Sequence, residues 1–464
     1  MGTKLNKFKK LLGSFKGRFK KQPRSSPRNV QLDAAASAWA SFQQSSSEGV
    51  LQFTDVLVDG MFVNRLLELS RNETNSAVQT LVFYDCLFDL SDLRTITDFN
   101  DLLSVHSIRS VEFWDGEVPV EAKSLGALMN ILAQSSAYSL RRLKIEASLI
   151  GVGRDLSHLL QSCSSLLHLE LIGCTLDMEF VQELSKYGFH QQSSLERVIL
   201  ESCFLVTDEI LIVLLRGLAK INCLHHVQLS GNKSLSCQSL PALTSFLRQH
   251  INASSLQITI HSNPNLFANC DKAQARNFFE ACLQSNSHKD LFLCQTGMNN
   301  VATSCLFQVL ERNQTVERVD IRHNSFDDEE SSEEELRSSS NQITTSIPST
   351  QSWVKSLPKL QGLKTLHLPS NLSTSNSFQE ALGKNMSLTT CSYPTSCYHE
   401  VRTKADILAR NKTLDLVRAI LINQKLSLSM YPRILNKVDK QMDINGDRTA
   451  LFELIKGRSS ELGK

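Results

Sequence analysis

The sequence predicts an α/β solenoid, in which short parallel strands alternate with helices along one quasi-linear domain. One apolar pattern recurs eleven times, and segments with helical periodicity fill the intervals between its copies. Because each repeat of a solenoid contacts only its neighbours, the 464 residues do not require two or three separate cores. A hydrophobic content of 41% is enough for one continuous core.

The clearest copy of the pattern is S-L-E-R-V-I-L-E-S-C at residues 194–203. Its apolar positions are Leu195, Val198 and Leu200, and Cys203 closes it. Across the eleven copies, the second apolar position is Leu81, Val111, Leu143, Leu169, Val198, Val227, Ile258, Leu291, Val319, Leu366 and Cys391. Nine of the ten intervals between these positions are 25 to 33 residues long, and the tenth is 47. The near-regular interval indicates a repeat rather than chance.

Two further features predict what each repeat contains. Asn or Cys usually closes the pattern, where a small polar side chain can bond the backbone of the turn that leaves the strand. Between the copies, residues 207–220 and 177–187 carry apolar side chains at helical spacing, and Asp177 stands at the N-cap position of the second segment. Each repeat is therefore expected to contain one strand, one turn and one helix.

The motif L-x-x-L-x-L-x-x-N/C resembles the core of the leucine-rich repeat, and the resemblance covers about residues 50–424. A full helix in each repeat resembles the ribonuclease-inhibitor-like type, which the Ran GTPase-activating proteins share. The resemblance implies a horseshoe of about eleven repeats, with parallel strands on the concave face and helices on the convex face. It does not carry a function with it.

Composition divides the chain further. We expect a basic amphipathic segment at 1–32, a linker at 33–49, the repeat domain with its caps at 50–424, and a C-terminal helical tail at 425–464. Residues 51–69 are expected to cap the first strand, because a solenoid would otherwise begin with a bare sheet edge. No run of about 18 apolar residues occurs, so no membrane-spanning helix is expected.

The N-terminal segment has ten Lys or Arg residues and no acid before Asp33. A helix would place five apolar side chains on one face, and these are the candidate membrane contacts: Leu5, Phe8, Leu12, Phe15 and Phe19. That pattern suits an anionic membrane surface contacted through residues 1–28. An organelle-targeting segment and a solvated basic tail are the alternatives.

The long interval contains a strongly acidic loop at 327–351. Seven of the nine residues at 327–335 are acidic, which prevents packing and predicts a disordered excursion. Ser331 and Ser332 each have a glutamate three residues later, so they are candidate phosphorylation sites for an acid-directed kinase. The alternative is a solvated loop without regulation.

Alternation along each strand predicts which side chains line the concave face. Four glutamates from successive repeats would form an acidic ladder there, with two aromatic residues at one end. The candidate partner-binding residues are Tyr84, Glu112, Trp114, Glu146, Glu170, Glu201, His261, Asp320 and Arg322. Such a surface suits a basic protein partner. Alternatively, the charges merely keep the sheet soluble, or the ladder holds the basic N-terminal segment and makes the chain autoinhibited.

No motif of an enzyme or cofactor site was found. The sequence lacks a Walker A loop, G-x-G-x-x-G and G-x-S-x-G, and its histidines show no metal-ligand spacing. We therefore predict a non-enzymatic scaffold or regulator without cofactors, monomeric, without a nucleic-acid partner. The cysteines, at turn and core positions, are interpreted as reduced, which favours the cytoplasm, with membrane or organelle recruitment through the N-terminus. The alternative is a GTPase activator, for which the family resemblance nominates Arg94 as the catalytic arginine.

Overall fold

The fold is described from a computed structural model of the chain. The described residues are 27–44, 49–71, 78–90, 92–114, 121–204, 206–250, 256–284, 289–324, 353–369, 376–392, 408 and 411–412. The candidate membrane contacts before residue 20, Ser331, Ser332 and the tail at 425–464 lie outside them. Among the described residues, no helix combines the length and apolar character needed to cross a membrane.

The chain divides into two compact units. Unit 1 contains Met1–Thr175 and Gln182–Ser194, and unit 2 contains Leu176–Val181 and Leu195–Lys464. In unit 1, the elements in chain order are α1 (Pro27–Gln44), β1 (Val50–Thr54), β2 (Leu57–Val58), α2 (Gly60–Arg71), β3 (Thr80–Tyr84), β4 (Leu87–Phe88), α3 (Leu93–Val105), β5 (Ser110–Trp114), α4 (Ala122–Ser135), β6 (Arg142–Glu146), α5 (Gly153–Ser162) and β7 (His168–Ile172). Strands β1, β3, β5, β6 and β7 are neighbours in that order, and the registered pairs are parallel.

The short helix α6 (Met178–Glu183) crosses the division between the units and continues into a π-helical turn at Leu184–Gly188. In unit 2, the elements that follow are β8 (Arg197–Glu201), α7 (Asp208–Leu218), β9 (His226–Gln228), α8 (Leu240–Gln249), β10 (Gln257–Thr259), α9 (Lys272–Gln284), β11 (Asp290–Phe292), α10 (Asn300–Leu310), β12 (Arg318–Asp320), β13 (Thr365–His367), α11 (Asn376–Lys384) and β14 (Thr390–Ser392). Short 3₁₀ segments precede α8 and β13. Strands β8 to β10 form one parallel set, and β11 to β14 form another.

The apolar positions of the repeat motif form the core, as predicted. In unit 1, the third apolar position of three successive repeats is Phe53, Phe83 and Phe113, all buried. The ring centroids of Phe83 and Phe113 are 5.1 Å apart in a stacked arrangement, and those of Phe53 and Phe83 are 5.2 Å apart. Such aromatic pairs add about 0.5–1.5 kcal/mol beyond their burial. Parallel strands, one-per-repeat helices and this shared core make the fold an α/β leucine-rich-repeat solenoid.

The turns after several strands use the predicted Asn or Cys, whereas Ser148 and Thr296 occupy this position after β6 and β11. In unit 2, Asn232 Nδ2 donates to the carbonyls of Leu200 and Leu229, at 2.9 Å each, and its Oδ1 accepts from the Cys203 N–H at 3.0 Å. In unit 1, the Cys174 thiol donates to the Ile145 carbonyl at 3.1 Å. These side chains satisfy buried backbone groups of two adjacent repeats, which explains the preference for small polar residues.

Several turns also need a left-handed backbone just before this residue. Gly231 has φ +74°, and a Cβ at this position would lie 2.5 Å from the Ser202 hydroxyl. Ser202 and Gln295 take the same conformation with φ near 54° and 53°. A non-glycine residue there costs roughly 1–2 kcal/mol, so the backbone bonds of the turn must offset that strain.

The N-terminal cap differs from the prediction. Residues 51–69 do not form a cap, because β1 and α2 make a further repeat. The helix α1 instead packs on α2 and β1, with Trp39 and Phe42 buried. A linker was predicted at 33–49. Residues 33–44 instead belong to α1, which covers the first repeat because it supplies the apolar face that an end repeat needs.

The contact between α1 and the first repeats predicts a dependence on pH. His106, at the end of α3, is buried beside Trp39, with their ring centroids 6.1 Å apart and the Nε2 of His106 without a hydrogen-bond partner among the described residues. Burial lowers the pKa of His106 below its ordinary 6.5. Above pH 6.5, His106 is neutral in both the folded and the unfolded chain. As pH falls below 6.5, the unfolded chain takes up the proton more readily, so the free energy of unfolding falls by at most about 1.4 kcal/mol per pH unit.

His106→Phe is therefore expected to flatten the fall in unfolding free energy between neutral and mildly acidic pH, measured by urea denaturation. The exposed His158 provides the control, since His158→Phe should leave the slope as it is in the unmodified chain. Equal slopes for all three proteins would contradict this origin of the pH dependence.

Candidate functional site

The side chains on the strand face opposite the buried core form what we name the open strand face. The burial patterns of β3 and β5 alternate as predicted, with Leu81, Phe83, Val111 and Phe113 buried and their neighbours turned outwards. On the open strand face of unit 1 lie the candidates Tyr84, Glu112, Trp114, Glu146 and Glu170. On that of unit 2 lie Glu201, His261, Asp320 and Arg322.

On the open strand face of unit 1, Arg142 forms hydrogen bonds with two glutamates. The Nη1 atom of Arg142 donates to Glu112 Oε1 at 2.8 Å. Its Nε and Nη2 atoms donate to the two carboxylate oxygens of Glu170, at 2.8 and 3.0 Å. The hydrogen bond to Glu170 is the main reason that the pKa of Arg142 is raised. A bidentate pair of this kind fixes the side chains as well as pairing their charges.

Trp114 belongs to the same network. Its Nε1–H donates to Glu112 Oε2 at 3.2 Å, and Lys144 Nζ lies 3.4 Å from its ring centroid. The side chain of Lys144 is buried, so this cation–π contact is largely shielded from water. Glu112 therefore contacts both Arg142 and Trp114, and the orientation of the indole is set by its neighbours on both sides.

This network corrects the predicted acidic ladder. Two cations, Arg142 and Lys144, lie among the three glutamates of unit 1, and Glu170 is buried in its pair with Arg142. In unit 2, Glu201 accepts a hydrogen bond from Gln228 Nε2 at 3.1 Å. The four glutamates therefore face the expected side but do not form a uniformly acidic surface.

The sequence contained a signal for the missed cations. Arg142, Lys144 and Glu146 alternate along β6, so all three had to share one face of the strand. Lys144 and Glu146 flank the third apolar position, Ile145, so alternation already predicts both on this face; Arg142 lies one step earlier on the same side of the strand. The charge of the open strand face in unit 1 is nearly balanced as a result.

In unit 2, Asp320 is buried rather than offered to a partner. Arg322 Nη2 donates to Asp320 Oδ2 at 2.6 Å, and the Cys294 thiol donates to Oδ1 at 3.1 Å. Burial acts to raise the pKa of Asp320, but the bonds from Arg322 and Cys294 outweigh it and lower that pKa. Burial and the neighbouring carboxylate raise the pKa of Cys294 to about 11, so this thiol stays protonated at neutral pH. His261 Nδ1 lies 3.2 Å from the Ser262 hydroxyl.

Arg94, the candidate arginine of a GTPase activator, lies in the first turn of α3 and not on a loop between repeats. It forms an ion pair with Asp98 at 3.9 Å and lines a groove of about 530 Å³. The carboxylates that line the same groove are Asp59, Glu68, Asp89, Asp92 and Asp98. A nucleotide phosphate would be repelled by so many carboxylates, so this groove does not favour the activator.

Groups of three or more His, Cys, Asp or Glu residues arranged to hold a metal ion do not occur in the described part of the chain. The thiols there are structural in character. Burial raises the pKa of Cys86 to about 11 and that of Cys163 to about 12, so neither is a nucleophile at neutral pH.

The chain has only distant similarity to known proteins. No protein-family model matches it, and no curated protein matches it. Among solved structures, it is similar to the internalin InlF of Listeria monocytogenes, with 14% identity, a TM-score of 0.44 and coverage of 83% of this chain and 97% of that one. It is also similar to TLR13 in its complex with ssRNA13, with 14% identity, a TM-score of 0.40 and coverage of 77% of this chain and 40% of that one. It is also similar to the structure of the Rad7–Elc1 complex of yeast, with 13% identity, a TM-score of 0.36 and coverage of 79% of this chain and 98% of that one. Any function must therefore be argued from the side chains of this chain.

Proposed function

We propose that this chain is a non-enzymatic interaction scaffold that binds a partner protein on the open strand face of unit 1. The observation that carries the proposal is the network in which Arg142, Glu112 and Lys144 hold Trp114 in one orientation. Side chains that are already ordered lose little conformational entropy when a partner binds, so the face is prepared for association.

The exposed residues on this face have the character of binding hot spots. Tyr84 is 50% exposed, and it is directly opposite Trp114 in the strand register. Trp, Tyr and Arg are the residue types enriched at the energetic centres of interfaces. An exposed tyrosine and an oriented tryptophan beside a fixed arginine therefore supply apolar contact area together with directional polar groups.

Glu146 suggests the chemistry of the partner. It pairs in register with Trp114, and it forms no ion pair among the residues that the structure describes. Glu112 and Glu170, by contrast, both form ion pairs with Arg142. A lysine or arginine of the partner is expected to lie beside the aromatic pair and to complete the charge balance at Glu146.

Two further parts of the proposal concern repeat type and location. A strand and a helix in most repeats, at intervals of 25 to 33 residues, support the long, ribonuclease-inhibitor-like type. Thiols that donate to backbone carbonyls, such as Cys86 and Cys174, suit a reducing compartment, and they support our proposal of a cytoplasmic location. Membrane recruitment through residues 1–28 and regulation at Ser331 and Ser332 remain predictions.

The test is capture of a partner from native lysate by the full chain carrying Tyr84→Ala and Glu146→Lys. Loss of one hot-spot side chain costs about 1–2 kcal/mol, so we expect roughly tenfold weaker capture of at least one specific partner. The matched control carries Tyr138→Ala and Glu121→Lys, because both residues are exposed in unit 1 but lie outside its strands.

The control is expected to capture the same partner as the unmodified chain, and so is Arg94→Ala. Equal capture by the strand-face variant and its control would contradict the proposal. A partner lost only with Arg94→Ala would instead favour the GTPase-activator alternative.

A further inference from the structure

We propose that unit 2 carries a second interaction surface, which binds an acidic segment of a partner protein. We name it the Phe292 surface, and it consists of Phe292 on β11, with Arg318 and Arg322 on and just after β12. It lies on the open strand face of unit 2 and is independent of the unit 1 face assigned above.

The apolar centre of this surface is an exposed aromatic ring. Phe292 is 38% exposed at the end of β11, which is the first strand of the parallel set β11 to β14. On the adjacent strand, the residue paired with it in register is Asp320, which is buried beneath its own partners. An exposed aromatic ring beside ordered arginines offers apolar contact area to a partner, and such side chains commonly anchor interfaces.

A buried carboxylate holds one arginine in place beside the ring. Asp320 is only 5% exposed at its side chain, whereas its partner Arg322 is 49% exposed. Arg322 donates from both Nε and Nη2 to this carboxylate, at 3.0 and 2.6 Å to the nearest oxygens. The Arg322 guanidinium is therefore held in place and partly exposed to solvent, while the carboxylate of Asp320 is buried.

The second arginine is held more loosely. Arg318 Nε is 3.7 Å from Asp290 Oδ1, and the two side chains are 49% and 48% exposed. An exposed pair of this length contributes little to stability, so a partner's carboxylate can replace Asp290 at small cost. Arg318 and Arg322 stand four residues apart along the chain, so the alternation of the strand places them on the same side.

These charges decide the class of partner. Two exposed guanidinium groups beside one apolar ring match a protein segment that alternates acidic and apolar side chains in an extended conformation. A run of nucleic-acid phosphates fits less well, because it supplies no apolar side chain to cover Phe292, whereas Asp290 would oppose phosphates and carboxylates alike.

The test measures binding of three fluorescent probes to the full chain by anisotropy. The probes are a peptide that alternates glutamate with leucine, the same peptide with lysine in place of glutamate, and an oligouridylate. We expect only the acidic peptide to bind, and we expect salt to weaken it. Phe292→Ser and Arg318→Glu should each weaken binding by about tenfold, as for loss of a hot-spot residue.

Arg322→Lys adds a variant that keeps the charge but loses the bidentate geometry, and it should weaken binding less than Arg318→Glu. The matched controls are Phe204→Ser and Arg197→Glu, which change exposed residues of unit 2 away from this surface. A thermal melt of each variant separates lost binding from lost fold. The proposal is overturned if the acidic peptide binds no better than the lysine peptide, if the oligouridylate binds as well, or if folded Phe292→Ser binds normally.

Discussion

Replacing Asn232 with alanine is expected to lower the free energy of unfolding by about 3–4 kcal/mol, because several buried hydrogen bonds are lost at once. The side chain is fully buried. Its Nδ2 atom donates hydrogen bonds to the carbonyls of Leu200 and Leu229, and its Oδ1 atom accepts one from the N–H of Cys203. Alanine offers neither a donor nor an acceptor, so these backbone groups would lose their side-chain partner inside the core.

Urea denaturation of the full chain measures this effect, with Asn265→Ala as the control. Asn265 is exposed and makes one hydrogen bond, from its Nδ2 to the Lys233 carbonyl at 3.0 Å. We expect its replacement to change stability by less than about 0.5 kcal/mol, as for most surface positions. Similar losses for the two variants would show that the turn residue does not carry the repeat-to-repeat bonding assigned to it.

The second large effect is expected for Arg142→Met, which leaves Glu112 and the buried Glu170 without their cation. Breaking a fully buried pair costs about 3–5 kcal/mol, and the partial exposure of Arg142 reduces this to about 2 kcal/mol. Partner capture should fall with stability, because Glu112 also orients Trp114. The unfolding free energy and the capture assay measure the two consequences separately.

The double variant Arg142→Met with Glu170→Gln tests the electrostatic origin of that loss. Removing the uncompensated charge should recover about half of the lost stability, since a neutral amide is cheaper to bury than a carboxylate. Arg141→Met is the control, because Arg141 is an exposed neighbour just before the strand. If the double variant is no more stable than Arg142→Met, the loss comes from packing and not from the unpaired carboxylate.

The repeat and its turn could be predicted from the sequence because both are local. Strand alternation and the Asn or Cys at the turn depend on residues within one repeat, and the N-caps at Asp177 and Thr207 depend on residues within one helical turn. The cap could not be predicted in the same way. Trp39 and Phe42 show no strong periodicity in their own segment, and their burial depends on the first repeat that they cover.

The strand face that carries the candidate residues was predicted, whereas the balance of charge on it was not. Alternation placed Tyr84, Trp114 and the glutamates on the correct face. Which charges neutralise each other depends on strand register, which brings Arg142 between Ser110 and His168, within reach of Glu112 and Glu170. Arg142 is 28 positions from Glu170 and 30 positions from Glu112 along the chain, and no local sequence pattern predicts contacts between residues so far apart.

The sequence alone thus determined the α/β repeat architecture, the side of each strand that faces solvent and the residues that close each turn, because periodicity and turn chemistry act over a few residues. Only the tertiary structure decided that Glu170 and Asp320 are buried, that Lys144 covers Trp114, and that Phe292 remains exposed. The physical reason is that burial and charge pairing are properties of neighbouring strands taken together, and those neighbours are separated by an entire repeat along the chain.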